Sequence, residues 1–284
     1  MPPDVVLLGI ITTFGNVSVE NSTNNVLALN RMTGTNTPVY MGASRPLVQA
    51  RIPFPVEIHG PFGMGAQRLD AGGLRPQAVS ASQFMSDAVR QYPGQVTILA
   101  VGPLTDIAQT MQIDPYFGVL VERLVIMGSA LFTQGNVTKL SEFNVYADRL
   151  AAKIVLESCI PKFIIGLDVS TNVVLFARDQ LRLAHCNPLG VGETLYRAFR
   201  YYSAFHQRTL GFDGMYMHDA MAFMAAFWPQ VFELAPRNIH VDVATGDTTV
   251  TPGTCSLVAT AVHTVEMLDI FWRLVCLPCN SLHP

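Results

Sequence analysis

Charge is what this sequence has least of: Asp, Glu, Lys and Arg make up 14% of its 284 residues, against roughly 25% in an average globular chain. The 18 basic residues are scattered singly and the net charge is −3, so no basic stripe exists to collect phosphates and nucleic-acid binding is excluded. No apolar run approaches the roughly 20 residues needed to span a bilayer; Met221 to Trp228 is typical of the longest. A membrane span is thereby excluded despite a mean hydropathy of +0.31. Cysteine is sparse and odd in number, with five residues at 159, 186, 255, 276 and 279. A disulfide scaffold needs pairs in a short secreted chain, so all five, including the Cys276-Leu-Pro-Cys279 pair, are expected to be inert thiols. No basic segment precedes the apolar run Val5 to Ile11, so a secretory signal is a poor fit and a cytoplasmic protein is expected. The sequons at Asn16, Asn21 and Asn136 then carry no meaning. P-loop, G-x-G-x-x-G, zinc-ligand and Ser-His-Asp patterns are also absent.

What is present is apolar: 50% of the chain, enough for a large core and for subunit interfaces. Short β-branched runs alternate with longer helical patterns, the order of a parallel α/β fold. Strands are predicted at Val5–Thr13, Pro38–Met41, Val96–Val101, Leu124–Met127 and Phe163–Leu167, and their continuous apolar character marks them as covered on both faces. Helices are predicted between them at Asn21–Met32, Ser80–Gln91, Leu104–Gln112 and Leu150–Glu157. Past Asp168 come helices at Gly192–Thr209 and Asp219–Phe227, a β-rich stretch from Ile239 to Val258 and a last helix over Leu268–Leu277. The expected fold class is α/β: one domain over residues 1–284, an open, mostly parallel doubly wound sheet with a Rossmann-like core and an irregular helical and β-rich C-terminal part. Gln49 to Val79 is rich in Gly and Pro, and aperiodic loops of that length are usually functional.

Ligands of open α/β sheets bind beyond the carboxyl ends of the strands. Those positions hold Gly15-Asn16, Gly102-Pro103-Leu104-Thr105-Asp106, Met127-Gly128-Ser129 and Asp168. The densest polar cluster, Gly135 to Asn144, follows one of these ends. Its two amides at Asn136 and Asn144 and its carboxylate at Glu142 suit a polyhydroxylated ligand, because amides donate and accept while a carboxylate accepts from two hydroxyls. The same residues would equally serve to cap the next helix. Met217-His218-Asp219 opens an apolar helix; His218 is a candidate general acid and Asp219 a cation ligand favoured at a helix N-terminus, or else Asp219 is a plain cap beside a bystander His218. His59 in the glycine-rich loop is a further candidate. Tyr202 and His206 are four residues apart on one helical face, either a binding wall or a core stripe.

In their order along the chain these segments resemble one family. Ile11-Thr12-Thr13-Phe14-Gly15-Asn16-Val17-Ser18, Pro38-Val39, Gly42, Arg45-Pro46-Leu47, His59-Gly60, Gly63-Met64-Gly65, Gly102-Pro103-Leu104-Thr105, Met127-Gly128, Gly135-Asn136-Val137-Thr138, Glu142-Phe143-Asn144, Leu167-Asp168-Val169-Ser170 and His218-Asp219 are similar to the nucleoside hydrolases, the inosine/uridine-preferring nucleoside N-ribohydrolases. The resemblance covers nearly the whole chain from Val5. It implies hydrolysis of the N-glycosidic bond of a ribonucleoside to free base and ribose, in nucleobase salvage. It implies His218 as the acid that protonates the departing base, and Asp219 with the Val101 carbonyl as calcium ligands. It implies Asn16, Asn136, Glu142 and Asn144 as the ribose grip, bordered by Met127, with His59 beside ribose or base and Tyr202 and His206 against the nucleobase. A homo-oligomer, dimer or tetramer, is expected with it.

One departure stands out. The family's acidic loop, an Asp-x-Asp-Pro-Gly-x-Asp-Asp at the end of its first strand, supplies most metal ligands and the general base. Here Met1-Pro-Pro-Asp4 runs straight into what resembles the second strand. Calcium takes six to eight oxygens, so Ca²⁺ binding is expected to be weakened or absent, and a neighbouring strand is expected to keep an unpaired edge. The alternative reading is a truncated or degenerate non-catalytic paralogue that binds nucleoside or pairs with an intact subunit. Ser129 for a usual Gly and Asp106 for a usual Asn are smaller departures.

Overall fold

The computed structural model describes residues 5–186 and 190–276; Asp4, Leu277 and Cys279 lie outside them. The strands are β1 (Ile10–Thr12), β2 (Val39–Met41), β3 (Thr97–Ala100), β4 (Arg123–Met127), β5 (Lys162–Ile165), β6 (Val174–Phe176), β7 (Gly214–Tyr216), β8 (Phe232–Val241), β9 (Thr248–Pro252) and β10 (Ser256–Val262). The helices are α1 (Val19–Thr33), α2 (Val56–His59), α3 (Ala81–Gln91), α4 (Thr105–Ile113), α5 (Phe117–Leu120), α6 (Phe143–Ala147), α7 (Arg149–Leu156), α8 (Leu167–Ser170), α9 (Ala177–Cys186), α10 (Val191–Thr209), α11 (His218–Phe227) and α12 (Thr264–Val275).

Six strands form the main sheet in the order β3-β4-β5-β10-β8-β9. β3, β4, β5 and β10 run parallel, and β8 and β9 add two antiparallel strands at the far edge. The β-rich stretch read from sequence as part of an irregular C-terminal region is therefore built into the same sheet. β4 shows why its sequence is continuously apolar. Leu124 and Ile126 face a core shared with α3, α4 and α7, while Val125 and Met127 face a second core shared with α11 and α12, as a strand covered on both faces requires.

The sheet is interrupted on its other side. β1 pairs with β2 alone and β3 with β4 alone among the described residues. Between them lies a cavity of about 310 Å³ lined by Ile10 to Val17 and Ile98 to Pro103. The two elements meet only past their carboxyl ends: a Cβ on Gly102 would touch Thr13 and one on Gly15 would touch Pro103, both at 3.1 Å. The expected unpaired edge is thus present, and β3 is only half-buried along most of its length.

Capping fixes where the helices begin. Ser18 accepts from the Asn21 N–H at the start of α1, and Gly34 ends that helix in the left-handed region at φ 69°, as cap chemistry predicts. Asp148 caps α7 through the Ala151 N–H and also accepts from Leu47 N at 2.9 Å and Thr105 Oγ1 at 2.7 Å. One buried carboxylate therefore ties α7, α4 and the loop after β2 together.

The cysteine expectation fails. Cys159 pairs with Cys255 and Cys186 with Cys276, at Cα separations of 4.5 and 5.0 Å. The partners are 96 and 90 residues apart in sequence, so only the packing of β10 against β5 and of α12 beside α9 brings them together. An odd total gave no sign of this, because parity does not say which residues pair across separations of 90 and 96 positions. Closing loops this long is worth about 4–5 kcal/mol each as an upper figure in the chain-entropy account. Cys159→Ser/Cys255→Ser should lower the urea midpoint markedly, and treating the unmutated chain with dithiothreitol should lower it further; a midpoint unaffected by either would show the bridge is not formed.

Candidate active site

α11 places the central pair. Its residues Met221, Ala222, Met224 and Ala225 are almost fully buried against the sheet, so its first turn, with His218 and Asp219, is fixed beneath the strand ends. β7 feeds this turn from the antiparallel β6–β7 ribbon. Tyr216 and His218 lie two residues apart and project the same way, as residues on an extended chain do, with ring centroids 5.5 Å apart.

From that pair a wall of rings extends. Tyr216 meets His206 at 4.9 Å, His206 meets Tyr202 at 4.6 Å and Phe212 at 5.0 Å, and Tyr202 meets His59 at 5.4 Å. Tyr202 and His206 therefore share the face expected of them. His206 donates through Nδ1 to the Gly214 carbonyl at 3.1 Å. His59 is the last residue of α2 inside the long glycine-rich loop. That loop is anchored by Asn25 Nδ2 to Phe62 O at 2.6 Å and by Gln67 Nε2 to Thr194 O at 2.9 Å. Gly60 is required at its bend: φ is 76°, and a Cβ would fall 1.9 Å from the Gly65 carbonyl oxygen.

The carboxyl end of β4 supplies the polar side. Asn144 donates through Nδ2 to Met127 O at 3.1 Å and lies 3.3 Å from Met127 Sδ. Glu142 is buried and caps α6, accepting from Asn144 N at 2.8 Å, Val145 N at 3.1 Å and Ser129 N at 3.3 Å. The capping role weighed from sequence is realised. Ser129 itself stands at φ 80°, a region that favours glycine and costs other residues of order 1–3 kcal/mol. Asp106, the other small departure, is buried beside the cavity between β1 and β3 and accepts from Ala43 N at 2.8 Å. Burial pushes its carboxyl up to about 6, partly offset by the nearby Thr13 hydroxyl and the Ala43 N–H.

Asn16, Val101 and Asn144 line that same cavity, with Asn16 and Val101 exposed. Asn136 is exposed in the loop 131–141, and no hydrogen bond joins it to the other candidates among the described residues. Asp168 clamps the start of this loop, accepting from Leu131 N at 3.1 Å and Phe132 N at 2.5 Å. Tyr216 and Ser170 were not singled out from sequence. The two-residue step to His218 would have found Tyr216, whereas Ser170 Oγ reaches His218 Nδ1 at 2.7 Å across 48 residues.

The electrostatics of the cleft are set by exclusion of water. Burial pushes Glu142 up to about 7 against its backbone N–H bonds. Asp219 is raised to about 7 too, by desolvation and then by the neighbouring Glu142 charge, a shift that its solvent exposure moderates. His218 is held down to about 4, chiefly by burial and then by His206 and His59, and His59 is held down to about 4 by burial. Among the described residues no group of three Asp, Glu, His or Cys side chains is gathered to hold a metal. Asp219 and the Val101 carbonyl fall short of a calcium shell of six to eight oxygens, so these residues do not by themselves fit the ion.

Residues 1–270 match the family described as inosine-uridine preferring nucleoside hydrolase. The chain belongs to this family. Uridine nucleosidase 1 of Arabidopsis thaliana is 34% identical over 242 residues, covering 84% of this chain and 71% of the relative. The non-specific ribonucleoside hydrolase RihC of Escherichia coli is 34% identical over 84% of this chain and 76% of its own length. A plant nucleoside hydrolase superposes with a TM-score of 0.92 at 25% identity over 97% of this chain and 92% of that one. The purine-preferring ribonucleoside hydrolase from Gardnerella vaginalis gives 0.91 at 27%, over 96% and 91%. This member of the nucleoside hydrolase family is therefore a hydrolase acting on N-glycosyl compounds, built on a mixed, mostly parallel sheet flanked by helices.

Its paired carboxylates give a pH test. A carboxyl raised in the folded state is destabilising once ionised, so the contribution of Asp219 falls as pH rises from about 4 to about 7. Asp219→Asn should leave the melting temperature nearly unchanged at pH 4 and raise it progressively up to pH 8. A difference that is flat with pH would show that the carboxyl is not desolvated.

Proposed function

We propose that the chain hydrolyses ribonucleosides with His218 as the acid for the departing base and with the ribose held by Asn16, Asn136, Glu142 and Asn144 against Met127. The reading is carried by one convergence: a half-buried imidazole, the buried Glu142 carboxylate, the Asp219 carboxylate and the Asn144–Met127 pair meet at the strand ends beside a wall of rings. As the C1′–N bond breaks, its electron pair goes to the base and a proton passes from His218 to a base nitrogen. Water oxygen bonds C1′, its surplus proton leaves to solvent, and His218 is reprotonated from solvent. Burial of the wall excludes bulk water and strengthens each contact with the developing charges.

The base itself lies, in this reading, against His59, Tyr202 and His206. The named relatives differ in base, one being a uridine nucleosidase, one purine-preferring and one non-specific, so preference belongs to this wall. A homo-oligomer is supported by the apolar excess, which leaves Val119, Phe132 and Val265 more than half exposed. No helix of the described residues is long and apolar enough to cross a membrane. The cytoplasmic expectation sits poorly with the two disulfides, which persist in oxidising compartments. Calcium, if it is used, needs oxygens beyond Asp219 and Val101.

Removing the acid should cost about 10²–10⁴ in kcat: His218→Ala is expected to abolish reducing-sugar release from inosine and uridine while sparing p-nitrophenyl riboside, whose leaving group departs without a proton. Equal losses on all three substrates would refute the assignment. His206→Ala should change the ratio of purine to pyrimidine turnover more than it changes the melting temperature; ratios that hold constant would remove His206 from the base site.

A further inference from the structure

The hydroxyl of Ser170 lies 2.7 Å from Nδ1 of His218, and nothing in the reaction described above uses it. Ser170 is fully buried and closes α8, a single turn that follows directly on β5. Its place is set by backbone, since its N–H donates to Gly166 O at 3.1 Å. Gly166 allows this close turn: a Cβ there would lie 2.5 Å from Asp168 Oδ2 and 3.0 Å from Ser129 O. Asp168, two residues before Ser170, is in turn engaged with Leu131 N and Phe132 N. The hydroxyl is thus presented from a short, tightly held turn and has little freedom to move away.

His218 is less constrained on its other side. Among the described residues Nε2 makes no hydrogen bond, and the ring keeps part of its surface open. Only Nδ1 is tied to the protein. A hydroxyl is suited to that tie because it can donate and accept. It accepts from Nδ1–H when the ring carries both protons, the state in which Nε2–H can protonate a leaving base, and it goes on accepting from Nδ1–H once that proton has gone. In both states the ring holds one orientation, with Nε2 facing away from Ser170.

We propose that Ser170 is a positioning residue for His218, accepting from Nδ1–H so that Nε2 faces the leaving base and, on giving up its proton, leaves the neutral Nδ1–H tautomer. The proposal rests on the reading of His218 as the acid and extends it by assigning the group that orients the ring and selects that tautomer. It parallels the arrangement in which a partner on one ring nitrogen sets what the other can do.

Two measurements on the full chain separate the positioning claim from the activity claim. Long-range ¹H–¹⁵N spectra of histidine-labelled protein, with His218 signals assigned through His218→Ala, should show the Nδ1–H tautomer of the neutral ring in the unmutated chain and in Ser170→Thr. They should show a mixture or the Nε2–H form in Ser170→Ala. An unchanged His218 tautomer in folded Ser170→Ala overturns the proposal, and this readout does not depend on turnover. In kinetics, Ser170→Ala should lower kcat for inosine or uridine by about 10–100-fold, the size usual for losing a partner that orients a functional histidine. KM should stay within a few-fold, p-nitrophenyl riboside turnover should be spared, and Ser170→Thr should recover most of the loss. Equal losses on all substrates would mark Ser170 as merely structural. Absence of turnover in the unmutated chain would sink the activity reading while the spectra still decide the tautomer.

Discussion

The burial of α11 is the constraint from which the site follows. Four of its ten residues are almost wholly excluded from water, and its sequence is apolar on nearly every side. Such a helix has only one stable place, inside the molecule between the sheet and the C-terminal helix. His218 and Asp219 are carried there because they form its first turn, and the free energy that holds them comes from Met221 and Met224, not from the polar pair.

That placement creates electrostatic conflict. The cleft raises two carboxyls and depresses two imidazoles, each shift opposing the charged form. The two carboxyls, raised to about 7, are poised near the neutral range, whereas the imidazoles, held to about 4, are kept neutral there. The conflict also means that the site draws on stability supplied elsewhere, by the two core clusters, by Asp148 and by the disulfides. Ser129 in the left-handed region adds to the same cost beside Glu142.

The split between β1 and β3 bears on the same site. Both strands end at the cleft, and the loops beyond them touch through Gly15 and Pro103, so the carboxyl ends stay together although the strands do not pair. Asn16, Val101 and Asn144 can therefore line one cavity without a continuous sheet beneath them.

Much of the fold was legible because its signals are local. Continuous apolar runs marked β3, β4 and β5, helical patterns marked the bodies of α1 and α3, and Tyr202 and His206 shared a face by helical spacing alone. The ordered motifs also pointed to His218, Glu142 and Asn144 as site candidates. What the sequence by itself determined is thus the kind of elements, their order and the family chemistry, since each depends on residues within a few positions of one another. Only the tertiary structure decided that Cys159 meets Cys255, that β10 joins β5, that Glu142 is a buried cap and that Ser170 reaches His218. Those contacts join residues 13 to 96 positions apart, and such pairings are set by how the cores pack, for which no local pattern exists.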